Sequence, residues 1–271
     1  MSVATLEQPT LAPATPPATA WKIWLYTNYD CNLTCKYCVA RSGPNVPRRA
    51  LPAALIRQIV DEAAALQFDH LFLTGGEPFL LPDIYETLAY CSARLPTTVL
   101  TNATLLHPNR LDKLDAVRND QLIVQVSLDG PTPETHDAYR GRGTWTRTIA
   151  GLQRLLARGY RVRIGTTETP ANTAHMTALR TFLDGLGIRA EDHFIRPLAK
   201  RGFSREGIEL GLDDLVPELT INVDGVYWHP LSTDRDMLIA KSPLPLKAAL
   251  DRIQEILADP DRASKPRCTF T

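Results

Sequence analysis

The chain has 271 residues, of which 44% are hydrophobic, and its 30 basic and 30 acidic residues give a formal net charge of zero. That length suffices for one large α/β domain with an appendage, and the apolar fraction can fill its core. Because the charge is balanced, no global field attracts nucleic acid or an acidic membrane surface, and we expect neither as a partner.

The first twenty residues are rich in Ala, Pro and Thr and lack the basic start and apolar run of a secretion signal. We interpret residues 1–20 as a disordered tail. No later stretch approaches the roughly eighteen apolar residues that a membrane-spanning helix needs. The chain has five cysteines, three of them close together, which is typical of metal ligation in a reducing compartment. These features predict a cytoplasmic protein.

From residue 21 onward, apolar strand-like runs alternate with helical patterns. Strands are predicted at 22–28, 70–76, 97–103, 121–130, 161–167 and 193–199, and helices at 51–67, 84–95, 107–117, 145–159 and 176–187. Such alternation indicates a parallel sheet with helices outside it. The predicted fold class is therefore α/β, a partial (β/α)6 TIM-like barrel over residues 21–200, and in such barrels the carboxyl ends of the strands carry the chemistry.

The first predicted strand leads directly into "YDCNLTCKYCVARSGP" (29–44), which contains Cys31, Cys35 and Cys38. A structural zinc site would need a fourth ligand, and only Cys91 and Cys268 remain, far apart in sequence. Three thiolates on a 4Fe-4S cubane leave one iron without a protein ligand, which allows a small molecule to bind there. We therefore favour an iron-sulfur cluster with an open iron over zinc.

These cysteines resemble the C-x-x-x-C-x-aromatic-C motif of the radical S-adenosylmethionine superfamily. Three further stretches resemble the same family in the same order: "GGEP" (75–78), "LTNATLL" (100–106) and "VSLDGPTPETHDAYRGRGTW" (126–145). The resemblance covers roughly residues 21–200 and is nearest to the subgroup of molybdenum-cofactor, peptide-modifying and sulfatase-maturing members. Four ordered motifs are far more specific than any single one.

The resemblance implies a role for each matched residue. The cysteines would hold the cluster, and S-adenosylmethionine would bind beside it. Tyr37 would lie against the adenine, Ser127 would contact the ribose, and Arg140 would bind the carboxylate of the cofactor. The glycine motif would receive the amino group, and its members are Gly75, Gly76, Glu77 and Pro78.

A few further residues at the predicted strand ends are candidates for the same site. Thr101 and Asn102 finish the third strand and could reach the cofactor, and Glu168 faces the same rim if the strand register holds. His136 lies in the fourth motif, where a cap or surface role competes with a substrate contact. Cys91 lies among apolar residues of a helix, so we expect a buried structural thiol.

After residue 200 the pattern changes. Residues 219–242 predict a β-hairpin that turns at Asp224-Gly225, followed by a helix at 245–257. This region, 201–271, resembles a degenerate form of the C-terminal extension called SPASM or twitch. His229 stands where that extension has a cluster-binding cysteine, and only Cys268 follows. We therefore predict a single cluster and expect His229 at the pocket rim or buried.

The resemblance implies an enzyme that cleaves S-adenosylmethionine reductively to a 5'-deoxyadenosyl radical, which abstracts hydrogen from a substrate carbon. A reducing donor such as flavodoxin or ferredoxin would supply the electron. The alternative is a noncatalytic iron-sulfur sensor or scaffold, which need not cleave the cofactor. The substrate stays open between a peptide and a small molecule; with no leader-binding domain expected before the barrel, a small molecule or a partner-delivered peptide is slightly favoured.

Overall fold

A computed structural model of the chain describes residues 21–259. Its strands are β1 Lys22–Tyr26, β2 His70–Thr74, β3 Thr97–Thr101, β4 Leu122–Ser127, β5 Val162–Glu168, β6 His193–Pro197, β7 Leu219–Asn222, β8 Gly225–Tyr227 and β9 Leu238–Ala240. Its α-helices are α1 Ala53–Ala65, α2 Ile84–Ser92, α3 Pro108–Asp115, α4 Pro133–Arg140, α5 Thr144–Ala157, α6 Met176–Gly185 and α7 Leu246–Leu257.

The strands form one mixed sheet in the order β6-β5-β4-β3-β2-β1-β7-β8-β9. Strands β1 to β6 pair in parallel with their sequence neighbours, and β7 pairs in parallel with β1. Strands β8 and β9 continue the sheet in antiparallel fashion. Because β6 and β9 are edges, the barrel is open, and the predicted α/β class with a partial parallel barrel is confirmed.

The alternation of side chains along β1 shows how the two faces of the sheet differ. Ile23 and Leu25 are fully buried in the core between the sheet and the helices, whereas Trp24 and Tyr26 face the concave side. Helix α1 covers the outer face with residues at helical spacing. Its buried residues are Ile56, Ile59, Val60 and Ala63. The alternating apolar residues of the sequence therefore form the core between the sheet and the helices, and the other residues of each strand face the cavity.

The predicted elements all exist, but their ends differ. The strand predicted at 22–28 ends at Tyr26, and the one predicted at 121–130 ends at Ser127, because the following residues turn into the loops of the concave face. Helix α4 was not predicted. The hairpin does turn at Asp224-Gly225, yet β7 extends the parallel sheet beside β1 rather than starting a separate one.

Two predictions fall on residues that the structure does not cover. The tail at 1–20 and Cys268 both lie outside the described residues. Among residues 21–259, no helix combines the length and the apolar character required to cross a membrane.

Candidate active site

The carboxyl ends of β1 to β6 surround one cavity of about 230 Å³. Residues of the cysteine loop close one end of it, and residues after β8 line the other. Most of the site residues predicted from sequence line this cavity. They are Cys31, Cys35, Tyr37, Cys38, Gly75, Gly76, Asn102, Ser127 and Arg140. Glu77 and Pro78 do not line it, although both are buried directly behind it.

The cysteine loop is fastened to the end of β2 by main-chain hydrogen bonds. The Gly76 amide donates to the Asn28 carbonyl at 2.7 Å, and the Glu77 amide donates to the Asp30 carbonyl at 3.0 Å. A Cβ on Gly76 would lie 2.0 Å from the Asp30 oxygen. The glycine is therefore required by the close approach of the protein's own loop, in addition to any ligand in the cavity.

The three thiols line the cavity, and two of them accept weak hydrogen bonds from main-chain amides. The Leu33 amide donates to Cys31 Sγ and the Ser42 amide to Cys38 Sγ, both at 3.4 Å. Burial raises the pKa of Cys31 to about 12 and that of Cys35 to about 11. Each of these two groups therefore stays a thiol until a cation binds and stabilises the thiolate.

The three cysteines fit the ligand requirement of a 4Fe-4S cluster. No group of three or more His, Cys, Asp or Glu side chains within residues 21–259 is arranged around one metal position. A cubane does not need such a group, because each thiolate binds a different iron atom. Three cysteines lining one cavity wall, with amide donors to two of the sulfurs, match that requirement.

Glu77 joins the ends of β2 and β3. Its carboxylate accepts from the Thr101 hydroxyl at 2.7 Å, from the Asn102 amide at 2.9 Å and from the Phe79 amide at 3.2 Å. Burial is the main cause that raises its pKa to about 7, and these hydrogen bonds oppose the rise. Asn102 in turn reaches the cysteine loop, because its Nδ2 donates to Asn32 Oδ1 at 2.9 Å.

Asp129 organises the opposite side of the cavity. The Arg140 guanidinium donates to both of its carboxylate oxygens at 2.7 and 3.2 Å, and the Tyr37 hydroxyl donates to it at 2.5 Å. The Thr167 amide on β5 adds a bond at 3.0 Å. The Asp129 carboxylate raises the pKa of Arg140 against the opposing effect of burial, so the cation persists. Sequence reasoning placed Asp129 at a strand end but missed this role.

The far wall of the cavity contains polar residues that sequence reasoning missed. Gln125 lies two residues before Ser127 on the same face of β4, and Arg196 projects from β6. Gln125 is 2% exposed and its Oε1 has no hydrogen-bond partner in the structure. The position of Gln125 could have been predicted from that of Ser127, because residues i and i+2 of a strand share a face. Trp24 stacks on Phe72 with centroids 4.0 Å apart and lines the same wall.

His229 lies in this wall, as expected of a residue at the pocket rim or buried. It is 1% exposed, and its Nδ1 accepts from the Leu231 amide at 3.0 Å. Burial lowers its pKa to about 3, so the imidazole is neutral and the proton resides on Nε2.

The remaining candidates take other positions. Cys91 is fully buried, as predicted. His136 is also fully buried, and its Nδ1 accepts from the Asp129 amide at 3.2 Å, so it supports Asp129 instead of capping a helix or lying on the surface. Glu168 ends β5 but does not line the cavity; Thr166 and Thr167 do.

Comparison with known proteins places this site in a family. Residues 25–172 match the model of the Radical SAM superfamily. The chain is 34% identical over 189 residues to the AdoMet-dependent heme synthase of Methanosarcina barkeri, covering 69% of this chain and 52% of the relative. It is 33% identical to the mycofactocin maturase MftC of Mycobacterium tuberculosis, covering 62% of this chain and 43% of that one.

Solved structures share the fold. The protein anSMEcpe with bound AdoMet and Cp18Cys peptide superposes with a TM-score of 0.66 at 12% identity, covering 91% of this chain and 82% of that one. SuiB of Streptococcus suis gives 0.60 at 16% identity, covering 93% and 49%. The chain spans about half the length of the curated relatives it matches. By its motif-bearing residues, its open parallel barrel and the family match, the chain belongs to the Radical SAM superfamily.

Proposed function

We propose that the chain is a radical S-adenosylmethionine enzyme that acts on a small-molecule or peptide substrate. The observation that carries the proposal is one cavity that is lined both by the three cysteines and by other motif residues, namely Gly75, Gly76, Asn102, Ser127 and Arg140. A noncatalytic sensor needs the cysteines but has no need of a cavity beside them that also contains these polar groups. Such convergence of polar groups in one pocket is characteristic of a catalytic site.

The cofactors implied are a 4Fe-4S cluster on Cys31, Cys35 and Cys38 and a molecule of S-adenosylmethionine beside it. When bound, they supply one-electron cleavage of S-adenosylmethionine to methionine and a 5'-deoxyadenosyl radical, which removes hydrogen from the substrate. The electron would come from a reducing donor such as flavodoxin or ferredoxin. Three free cysteines in one loop suit a reducing cytoplasm.

The chain's own residues bind and orient. Tyr37 is fixed by its bond to Asp129, so its ring is held ready for an adenine. Arg140 is held by the same carboxylate and also lines the cavity, which lets its planar fork meet a carboxylate without reorganisation. The main chain of Gly75 and Gly76 supplies the wall that would receive the amino group.

The substrate would occupy the far wall, where Trp24, Gln125, Arg196 and His229 lie. This wall offers one aromatic face, one amide, one guanidinium and one neutral imidazole. The relatives are named for different products, a heme and mycofactocin, and they support the shared radical chemistry without choosing a substrate. Within residues 21–259, the buried Oε1 of Gln125 has no hydrogen-bond partner, which favours a substrate that can donate a hydrogen bond to it.

The test is formation of 5'-deoxyadenosine by anaerobically reconstituted protein with dithionite and S-adenosylmethionine. We expect product above that of a Cys35→Ala control, whose cluster lacks one ligand. Protein that carries the cluster and binds the cofactor, yet gives no more product than the control, would refute the enzymatic proposal and favour a sensor.

A further inference from the structure

A shallow depression lies on the solvent side of the cysteine loop, opposite the cavity. Its wall includes Cys35, Lys36, Val46 and Phe203. Cys35 is also part of the cavity wall, so it is the ligand that reaches from the inner site to the outer surface. Among the three cysteines of the loop, Cys35 is the one that lines both the cavity and this depression.

A short segment after β6 covers the loop at this point. Gly202 has a left-handed φ of 62°, and a Cβ there would lie 2.2 Å from the Cys38 carbonyl oxygen. The amide of Phe203, the next residue, donates a hydrogen bond to the same oxygen at 3.1 Å. The glycine and this hydrogen bond fix the position of Phe203 directly above the cluster-binding loop.

The side chain of Phe203 is not buried by this contact. It is 47% exposed, and Ile208 of the same segment is 44% exposed. These are two of the four large hydrophobic residues that are most exposed within residues 21–259. An exposed aromatic side chain on a segment fixed by main-chain contacts is typical of a protein contact surface.

The surroundings of this surface are positively charged. Residues 34–49 contain four basic residues and no acidic one, on a chain whose formal charge is zero. Arg41 and Arg49 pair with Asp234 and Asp224. The side chain of Arg48 stays 89% exposed, with its one ion-pair contact at 4.0 Å. Lys36 is also exposed. The charge that faces solvent is therefore basic.

We propose that this surface, formed by Phe203 and Lys36 beside Cys35 and followed in sequence by the exposed Arg48, is the docking site of a small acidic one-electron carrier protein. The carrier would lose one electron and the cluster would gain it, with no transfer of atoms. Basic residues would steer the acidic carrier, and Phe203 would provide the apolar contact at its centre. This inference rests on the proposed function, because that function requires an electron from outside the protein.

The experiment uses reconstituted holoprotein with reduced flavodoxin as the probe and dithionite as a small reductant that needs no docking. The variants are Phe203→Ser and Arg48→Glu. Their matched controls are Ile195→Ser, which is equally exposed at 47%, and Lys247→Glu on α7, whose side chain is 70% exposed. Rates of cluster reduction are followed by visible absorbance, and flavodoxin affinity is measured by titration with the iron-free chain.

We expect both variants to lose about tenfold in flavodoxin affinity and in reduction rate, with the dithionite rate and both controls unchanged. Raising the salt concentration should slow reduction by flavodoxin but not by dithionite. Wild-type affinity in both variants would overturn the proposal. So would an equal slowing with dithionite, which would locate the damage in the cluster itself.

Two further outcomes separate this proposal from others. If Phe203→Ser converts a dimer to a monomer in sedimentation while flavodoxin binding is unchanged, the surface is an interface between copies of the chain, and the carrier proposal is wrong. If the holoprotein accepts electrons but forms no 5'-deoxyadenosine with dithionite, the proposed function fails while the docking surface stands.

Discussion

Glu77 provides the sharpest test of how the site is built, because its carboxyl group is buried and accepts hydrogen bonds from neutral donors. Its ordinary pKa of 4.5 is raised to about 7 in the folded chain. A shift of that size corresponds to about 3 kcal/mol of differential stability. The proposed perturbation is Glu77→Gln, which removes the charge and keeps the size of the side chain.

The sign follows from the two pKa values. Below about pH 4.5 the carboxyl is protonated in both folded and unfolded chains, and ionisation makes no difference to stability. Between 4.5 and 7 the unfolded chain releases its proton first, so the stability that this group contributes falls as the pH rises. Above pH 7 the folded chain contains the costly buried carboxylate.

We therefore expect the free energy of unfolding of the Gln variant, relative to wild type, to rise by up to about 3 kcal/mol from pH 4.5 to pH 8. The assay is urea unfolding of the iron-free chain, followed by circular dichroism at several pH values under reducing conditions. Glu86→Gln on the exposed side of α2 makes the same chemical change at the surface and should show no such trend. A difference between Glu77→Gln and wild type that is constant with pH would refute the reasoning.

The same variant tests the cofactor role expected from sequence. Because the resemblance assigns Glu77 to the motif that would receive the amino group, the sequence predicts that Glu77→Ala weakens cofactor binding more than it disturbs the cluster. The structure shows that Ala would leave the Thr101 hydroxyl and the Asn102 and Phe79 amides without their acceptor, at about 1 to 3 kcal/mol for each. Gln keeps an acceptor oxygen, so lost affinity for S-adenosylmethionine with full iron content would assign Glu77 to the ammonium group.

Three other results are expected. Gly76→Ala should abolish iron incorporation on reconstitution, because its Cβ would lie 2.0 Å from the Asp30 carbonyl oxygen. The control Gly185→Ala, whose Cβ would have nothing within 4 Å, should incorporate iron normally. Full iron content in the Gly76 variant would contradict this expectation. Asp129→Asn should lower the free energy of unfolding in urea by about 3 to 5 kcal/mol, since it leaves the buried Arg140 without its counter-charge; a loss below about 1 kcal/mol would show that another acceptor replaces it. Iron and sulfide analysis should give about four of each per chain, as one cubane requires, and replacing the three loop cysteines with Ala should remove all of it; cluster retained in that variant would reveal a second site.

The fold was predictable because its signals are local and repeated. Alternating strand and helix patterns from residue 21 onward required a parallel sheet, and the structure has one. Helix α4 was missed because it is short, polar and inside a motif that was interpreted as a loop. Its signal was nevertheless present: Thr132 caps it in a reciprocal bond with Thr135, and Pro133 occupies its first turn.

The sequence predicted which residues form the site better than it predicted the contacts between them. The motifs identified which residues gather at the cavity, but not that Glu77 would stay outside its lining and bond to Thr101 and Asn102. Long-range partners of this kind depend on strand order and on where each strand ends. The same holds for Arg196, a polar residue in an apolar run that becomes part of the cavity wall only when β6 takes its place at the edge of the sheet.

Two of the buried carboxylates, Asp129 and Glu77, support the cavity in different ways. Asp129 has the guanidinium of Arg140 against it, so its charge is balanced within the protein. Glu77 accepts only from neutral donors, while the nearby Arg110 donates to the Phe79 carbonyl instead. Burial therefore raises the pKa of Glu77 to about 7, where a positive charge arriving in the cavity would favour its ionised form. Glu77 is the group whose protonation would respond to a cationic cofactor, and Asp129 is the group that would stay fixed.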